Sequence, residues 1–290
     1  MTFTDRRERF RAHMAGDRCL VPASVFDPLS ARLAEDLGFE MGMVGGSSAS
    51  LAVLGAPDLI VLTLSELAGQ CRCISRASRL PFMVDADHGY GNALNVMRTV
   101  EELEAAGVAA LTIEDTALPQ AFGQGGETRL LSLEEGAGKM RAAVAARGDP
   151  ALVIVGRTSA ARVTGLDDAI ARARAYAEAG VDAVFLLGVE TAAEVEAVAA
   201  AVSVPLVVEG KVWHAMSPQE LAARSVKVCL RGHPTLTAAV QAMHATLKAL
   251  REGVEPGDLE GLAPKALMDR VTRRGEYDGW IRDFMEPEDE

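Results

Sequence analysis

Aromatic residues are scarce in this 290-residue chain, at 4%. Platforms that stack the bases of single-stranded nucleic acid are built from such rings, so that mode of binding is not expected. Positive charge is also in the minority. Lys and Arg number 29 against 41 Asp and Glu, a formal net charge of −12, which repels phosphate backbones and argues against any nucleic-acid partner. No stretch approaches the ~20 consecutive apolar residues that a membrane span requires. The opening MTFTDRRERFRAHM is charged and has no apolar core of a secretory signal. Cysteines are few: Cys19, Cys71, Cys73 and Cys229 do not make a disulfide framework, and their spacing, C-x-C at 71–73 included, matches no zinc pattern. The expectation is a reduced, cytoplasmic protein with no membrane partner. Pro/Ser-rich linkers and low-complexity tracts are missing as well.

What the chain does contain is ordinary for a globular protein, with 49% hydrophobic and 24% charged residues. Eight short apolar runs recur, at 19–24, 41–45, 82–85, 110–114, 152–157, 183–187, 206–209 and 226–230. They do not alternate apolar with polar, the mark of strands buried on both faces in a parallel sheet. Alanine-rich segments with helical periodicity lie between them. In 94–106, Val96, Met97, Val100, Leu103 and Ala106 fall on one helical face, and Gly107 follows as a stop. Residues 167–179 repeat this design before Gly180, and 191–201 and 218–224 are further candidates. Eight strand–helix units close most simply as a (β/α)8 TIM-type barrel, with an open doubly wound sheet as the alternative. Residues 1–252 are assigned to the barrel. Residues 253–290, with Pro256, Pro264, Trp280, Ile281, Phe284 and the charged ending EPEDE, read as a C-terminal extension packed on the barrel or on a neighbouring subunit.

In such a barrel the chemistry sits at the C-terminal ends of the strands. After the second run comes Gly45-Gly46-Ser47-Ser48-Ala49-Ser50, small residues whose N–H groups can cradle an anion, or a plain turn. After the third comes Asp85-Ala86-Asp87-His88-Gly89-Tyr90-Gly91. Two carboxylates at the end of a buried strand are costly unless paired or coordinating. A hard divalent cation such as Mg²⁺, which keeps waters and takes one or two protein carboxylates, suits them; the alternative is a helix cap with a charged loop. The Gly-Tyr-Gly piece lacks the third glycine of a dinucleotide fingerprint, and acids precede it. Glu114-Asp115 ends the fourth run, Arg157-Thr158-Ser159 the fifth, and Arg231-Gly232-His233-Pro234 the eighth. Arg157 could take a substrate carboxylate or balance a neighbouring acid. His233 could be an acid, a base, a hydrogen-bond donor or a structural histidine. Asp58, in the long connection after the second run, could reach a metal-bound water or cap a turn. The glycine-rich stretch 121–127 could fold over a barrel mouth. An acidic cluster, an anion cradle and an arginine together suit a small 2-oxo acid that chelates a cation, which then acts as a Lewis acid on a developing enolate.

The motifs GGSSAS (45–50), VDADHGYGN (84–92), TIEDT (112–116) and GRTSA (156–160) make the chain resemble the isocitrate lyase/phosphoenolpyruvate mutase superfamily over most of 15–250. The resemblance implies a barrel whose eighth helix is swapped between paired subunits, usually in a homotetramer. It implies Mg²⁺, or Mn²⁺ in its place, held directly by Asp85 and mostly through waters by Asp58, Asp87 and Glu114. It gives the substrate carboxylate and enolate oxygen to Gly46, Ser47, Ser48 and Arg157. The lyase branch carries Lys-Cys-Gly-His after the fourth strand, and phosphonopyruvate-type members carry Lys and Asn there; residues 118–123 here read Leu-Pro-Gln-Ala-Phe-Gly. The oxaloacetate decarboxylase-like branch is similar in that loop and in Gly232-His233, the histidine that touches substrate in that branch. The implied activity is Mg²⁺-dependent decarboxylation of oxaloacetate to pyruvate and CO₂, the proton at C3 coming from His233 or water. The alternative is another C–C or C–P bond lyase of the superfamily, acting on a methylisocitrate, carboxyphosphonoenolpyruvate, phosphonopyruvate or malate derivative.

Overall fold

A computed structural model describes residues 1–286. The eight apolar runs form eight parallel strands in sequence order: β1 (Ala23–Ser24), β2 (Gly42–Val44), β3 (Phe82–Asp85), β4 (Ala110–Glu114), β5 (Val153–Thr158), β6 (Ala183–Leu186), β7 (Leu206–Glu209) and β8 (Val226–Leu230). Leu20, just ahead of β1, pairs in parallel with Val228 of β8, its N–H donating to Lys227 O and its O accepting from Cys229 N–H. That pairing joins last strand to first, so the sheet is the barrel and not the open alternative. β1 is much shorter than the run 19–24, because only its end pairs with β2.

Side chains on a strand point alternately to the two faces. One set, including Val84, Leu111, Ile113, Ile154, Val184 and Val208, packs outward with the helices. The other, including Met43, Met83, Val155, Phe185, Val207 and Val228, fills the barrel interior. Phe10 and Met14 belong to this inner cluster and come from the helix Phe3–Ala15, which the charged N-terminal sequence had concealed. The charges of that helix are structural. Arg7 is buried, pairs with Asp149 at 2.7 Å and donates to Val108 O; Arg6 donates to Ser75 O; Arg11 pairs with Asp182 at 2.8 Å. A capping box of Thr2 and Asp5 starts the helix.

The expected helices are present with small shifts, as Ala93–Ala105, Leu166–Glu178, Ala192–Ala199 and Pro218–Ala222. Gly107 and Gly180 follow the first two with φ of +87° and +94°, conformations that glycine takes without steric cost. No helix among the described residues is long and apolar enough to cross a membrane.

The chain divides into two compact units, Met1–His233 and a second that begins at Pro234. The boundary anticipated at 252/253 lies inside the second unit, so the helix Pro234–Arg251 groups with Lys265–Val271 and Arg274–Met285. Val240, Met243, Leu247 and Leu250 on the long helix are exposed, as are Trp280, Ile281 and Phe284 near the end. The stretch 287–290 of the charged ending lies outside the described residues.

Asp115, next to the candidate site residue Glu114, turns to the outer face. Its Oδ2 accepts from Arg172 at 2.9 Å and from the Tyr176 hydroxyl at 2.5 Å, all three buried. Removing one member of a buried ion pair leaves the other charge uncompensated. Arg172→Met is therefore expected to lower unfolding stability by about 3 kcal/mol and Tyr176→Phe by about 1 kcal/mol, read as shifts in urea midpoint at constant m-value.

Candidate active site

Strand register builds the centre of the site. Asp85 is level with Thr112, and Glu114 with Arg157. The inward alternation therefore carries Met83 to Asp85, Thr112 to Glu114 and Val155 to Arg157 at the rim. Arg157 reaches back across β4: its guanidinium meets Asp85 Oδ2 at 2.5 Å and its Nε lies 3.0 Å from Glu114 Oε2. The first contact is a hydrogen bond. The second is an ion pair without hydrogen-bond geometry, since Arg157 Nε has no bonded partner. The Phe185 ring lies 5.3 Å from the guanidinium carbon. Arg157 thus balances the neighbouring acids and also lines a cavity.

Asp85 Oδ1 accepts from the Thr112 hydroxyl at 3.0 Å and from the Asp87 N–H at 3.2 Å. Burial raises the Asp85 carboxyl, but the Arg157 charge and these donors outweigh it and hold Asp85 below the usual carboxylate range. For Asp87 the balance reverses: burial, then the charges of Asp85, Asp58 and Glu114, push it up to about 9. Burial also raises Glu114. The loop that carries Asp87 is held tightly. Asp87 has φ +48° and Tyr90 φ +60°, its O accepts from Glu114 N–H at 2.8 Å, and the buried Lys139 ammonium donates to His88 O.

Gly46, Ser47 and Ser48 open the helix Gly46–Leu54, whose first N–H groups are free of intrahelical partners. Ser48 is turned away from the site, its hydroxyl donating to Gly45 O and accepting from Gly45 N–H. Gly46 lies against Asp87, since a Cβ on it would stand 2.7 Å from Asp87 Oδ1.

Two cavities share Asp58, Asp85 and Arg157. One, of about 240 Å³, is also lined by Ser24, Gly46, Ser47, Glu209 and His233. The other, of about 310 Å³, adds Asp87, Glu114 and the 118–120 stretch. Of the residues named from the sequence for metal or substrate, Gly46, Ser47, Asp58, Asp85, Asp87, Glu114, Arg157 and His233 reach these cavities and Ser48 does not. Ser24 and Glu209 were given no role from the sequence. Ser24 bonds His233 Nδ1 at 2.8 Å, and Glu209 takes Arg162 at 2.5 Å and the Gly188 N–H. Both sit at strand ends, and applying the strand-end rule to β1 would have found Ser24.

Among the described residues no three His, Cys, Asp or Glu side chains converge into a ready-made metal-ligand set. Five carboxylates (Asp58, Asp85, Asp87, Glu114 and Glu209) and two arginines (Arg157 and Arg231) nevertheless line the two cavities, an excess of negative charge presented on hard oxygen donors. That donor chemistry fits a cation such as Mg²⁺, which keeps several waters and needs only one or two protein carboxylates.

The phosphoenolpyruvate phosphomutase family model matches residues 10–251. An oxaloacetate decarboxylase from Bradyrhizobium sp. strain BTAi1 is 56% identical, over 99% of each chain. The crystal structure of a phosphoenolpyruvate phosphomutase from Streptomyces platensis subsp. rosaceus superposes with a TM-score of 0.85 at 32% identity, covering 97% of this chain and 99% of that one. A phosphonopyruvate hydrolase in complex with oxalate and Mg²⁺ superposes with a TM-score of 0.84 at 28% identity, covering 99% and 100%.

Gly45 is the tightest point of the site: a Cβ there would lie 2.1 Å from His233 Nε2. Gly45→Ala must displace the imidazole. We expect a folded protein by circular dichroism whose kcat/KM falls by about 10²-fold, the cost of a misplaced site group; wild-type activity would show that the ring position is immaterial.

Proposed function

This chain belongs to the phosphoenolpyruvate phosphomutase family, and on that premise we propose that it is a lyase that decarboxylates oxaloacetate to pyruvate and CO₂. The observation that carries this reading is the Arg157 guanidinium held between Asp85 and Glu114, in a cavity that Asp85, Arg157 and His233 line together. The loop after β4 supports the reaction type. Residues 118–124 hold neither a cysteine nor a lysine to protonate a bulky leaving carbanion, whereas loss of CO₂ needs no acid on the departing fragment.

Asp85 would hold Mg²⁺ or Mn²⁺ directly, and Asp58, Asp87 and Glu114 through water. The chemistry such a cation supplies is electron withdrawal from the keto oxygen of a 2-oxo acid. The protein's own groups do the rest. The Gly46 and Ser47 N–H groups, at the positive end of their helix, take the C1 carboxylate. Arg157 stands where negative charge grows on the C2 oxygen as the C3–C4 bond breaks. His233 touches the substrate from β8. A proton from water or from His233 then replaces the lost carboxyl at C3. Burial holds His233 below the usual histidine pKa despite Asp85 and Asp58, so it works as a neutral ring.

The exposed Val240, Met243 and Leu247 follow one face of the helix Pro234–Arg251 at spacings of three and four. We assign this face to a second copy of the chain, in a homotetramer built from helix-swapped pairs. A cytoplasmic location suits the four cysteines, which are all unpaired.

Purified protein should release pyruvate from oxaloacetate faster than the metal alone, and EDTA should abolish the excess. No protein-dependent rate with Mg²⁺ or Mn²⁺ would overturn the assignment. Arg157→Ala should lower kcat/KM by about 10²-fold or more, as when an oxyanion donor is removed. By light scattering the native mass should be near four chains, and Leu247→Glu should reduce it.

A further inference from the structure

His233 is gripped from two sides. Its Nδ1 lies 2.8 Å from Ser24 Oγ, and its Nε2 lies against Gly45, at the start of the helix Gly46–Leu54. Ser24 ends β1, is 7% exposed, and lines the same cavity as His233. The bond ties β1 to the residue that follows β8, close to where the Leu20–Val228 pairing closes the barrel. Neither the fold nor the proposed chemistry has given Ser24 a purpose.

A neutral imidazole carries one proton, and the hydrogen bond at one nitrogen decides whether the other is a donor or an acceptor. A serine hydroxyl can serve either way, so Ser24 alone does not choose. The surroundings do. The Nε2 end adjoins Gly45, and the cavity that His233 lines also holds the Asp58 and Asp85 carboxylates. Near these acids, as the metal-free protein presents them, an N–H with its proton directed into the cavity is favoured over a lone pair. Nδ1 then has only a lone pair to offer, and a hydroxyl is the donor placed to meet it.

We propose that Ser24 is a positioning residue: its hydroxyl donates to His233 Nδ1 and so fixes the tautomer in which Nε2–H faces the cavity. Gly46 and Ser47 open the helix that Gly45 precedes and line the same cavity, so their N–H groups and that of His233 are offered together to a carboxylate of the bound 2-oxo acid. The identity of that ligand rests on the function proposed above; the tautomer does not.

Solid-state ¹⁵N NMR of histidine-labelled protein reads the tautomer directly, with His233→Gln identifying the signal. The expected native state is Nε2 protonated and Nδ1 bare. Ser24→Ala should lose this single tautomer and raise KM for oxaloacetate about fivefold, the loss of roughly one hydrogen bond, with a smaller change in kcat. Ser24→Thr, which keeps the hydroxyl, should restore both. A protonated Nδ1 in the native protein, or a native tautomer with native KM in Ser24→Ala, overturns the inference. Failure of the native protein to decarboxylate oxaloacetate would count against the function and leave the NMR result to decide the role of Ser24.

Discussion

One guanidinium organises this site. Arg157 stands between Asp85 and Glu114 where all three side chains are largely withdrawn from water. Burying an ion costs several kcal/mol even after relaxation, so such a group persists only where its partners are held in place. Here they are held by strand register. Glu114 and Arg157 are cross-strand neighbours on β4 and β5, and Asp85 is fastened on β3 by Thr112 of β4 and by the N–H of Asp87. Three adjacent strands thus set the positions of three charges, with little freedom left to the side chains.

The same two-residue period explains why neighbouring acids do different work. Glu114 faces the barrel mouth, and Asp115, one residue on, faces the helix Leu166–Glu178, where Arg172 and Tyr176 take it. The outer network anchors the end of β4 while the inner face presents its carboxylate to the cavity. Arg157 on β5 likewise continues the interior row of Val153 and Val155 that fills the barrel. The core and the site are successive layers of one stack. Its lower layers include Phe10 and Met14 of the N-terminal helix.

At the rim, close approach takes over from register. His233 fits only because Gly45 has no Cβ, and Asp87 reaches Gly46 for the same reason. These contacts draw β8, β2 and β3 together around the first turn of the helix Gly46–Leu54, so helix N–H groups, an imidazole and carboxylates share a space of a few hundred cubic ångströms. The close quarters shift the titrations. Asp85 is lowered because Arg157 touches it, and Asp87 is raised because it meets burial and like charge.

Much of this was legible beforehand. Apolar runs without alternation declared a parallel sheet, because a strand buried on both faces has no polar side to show, and their number favoured a barrel over an open sheet. Asp85, Asp87, Glu114 and Arg157 could be singled out because charged residues directly after such runs need a reason to be there. The fate of Ser48, the bond from Ser24 to His233 and the inner position of Phe10 could not be read. Each depends on which way a side chain turns and on what lies opposite it from a distant part of the chain. Composition and periodicity along the sequence determined the strands and the residues at their ends, since those are local properties. Only the tertiary structure decided which charges pair and which glycines must stay bare, because those outcomes belong to distances between strands that the chain brings together only on folding.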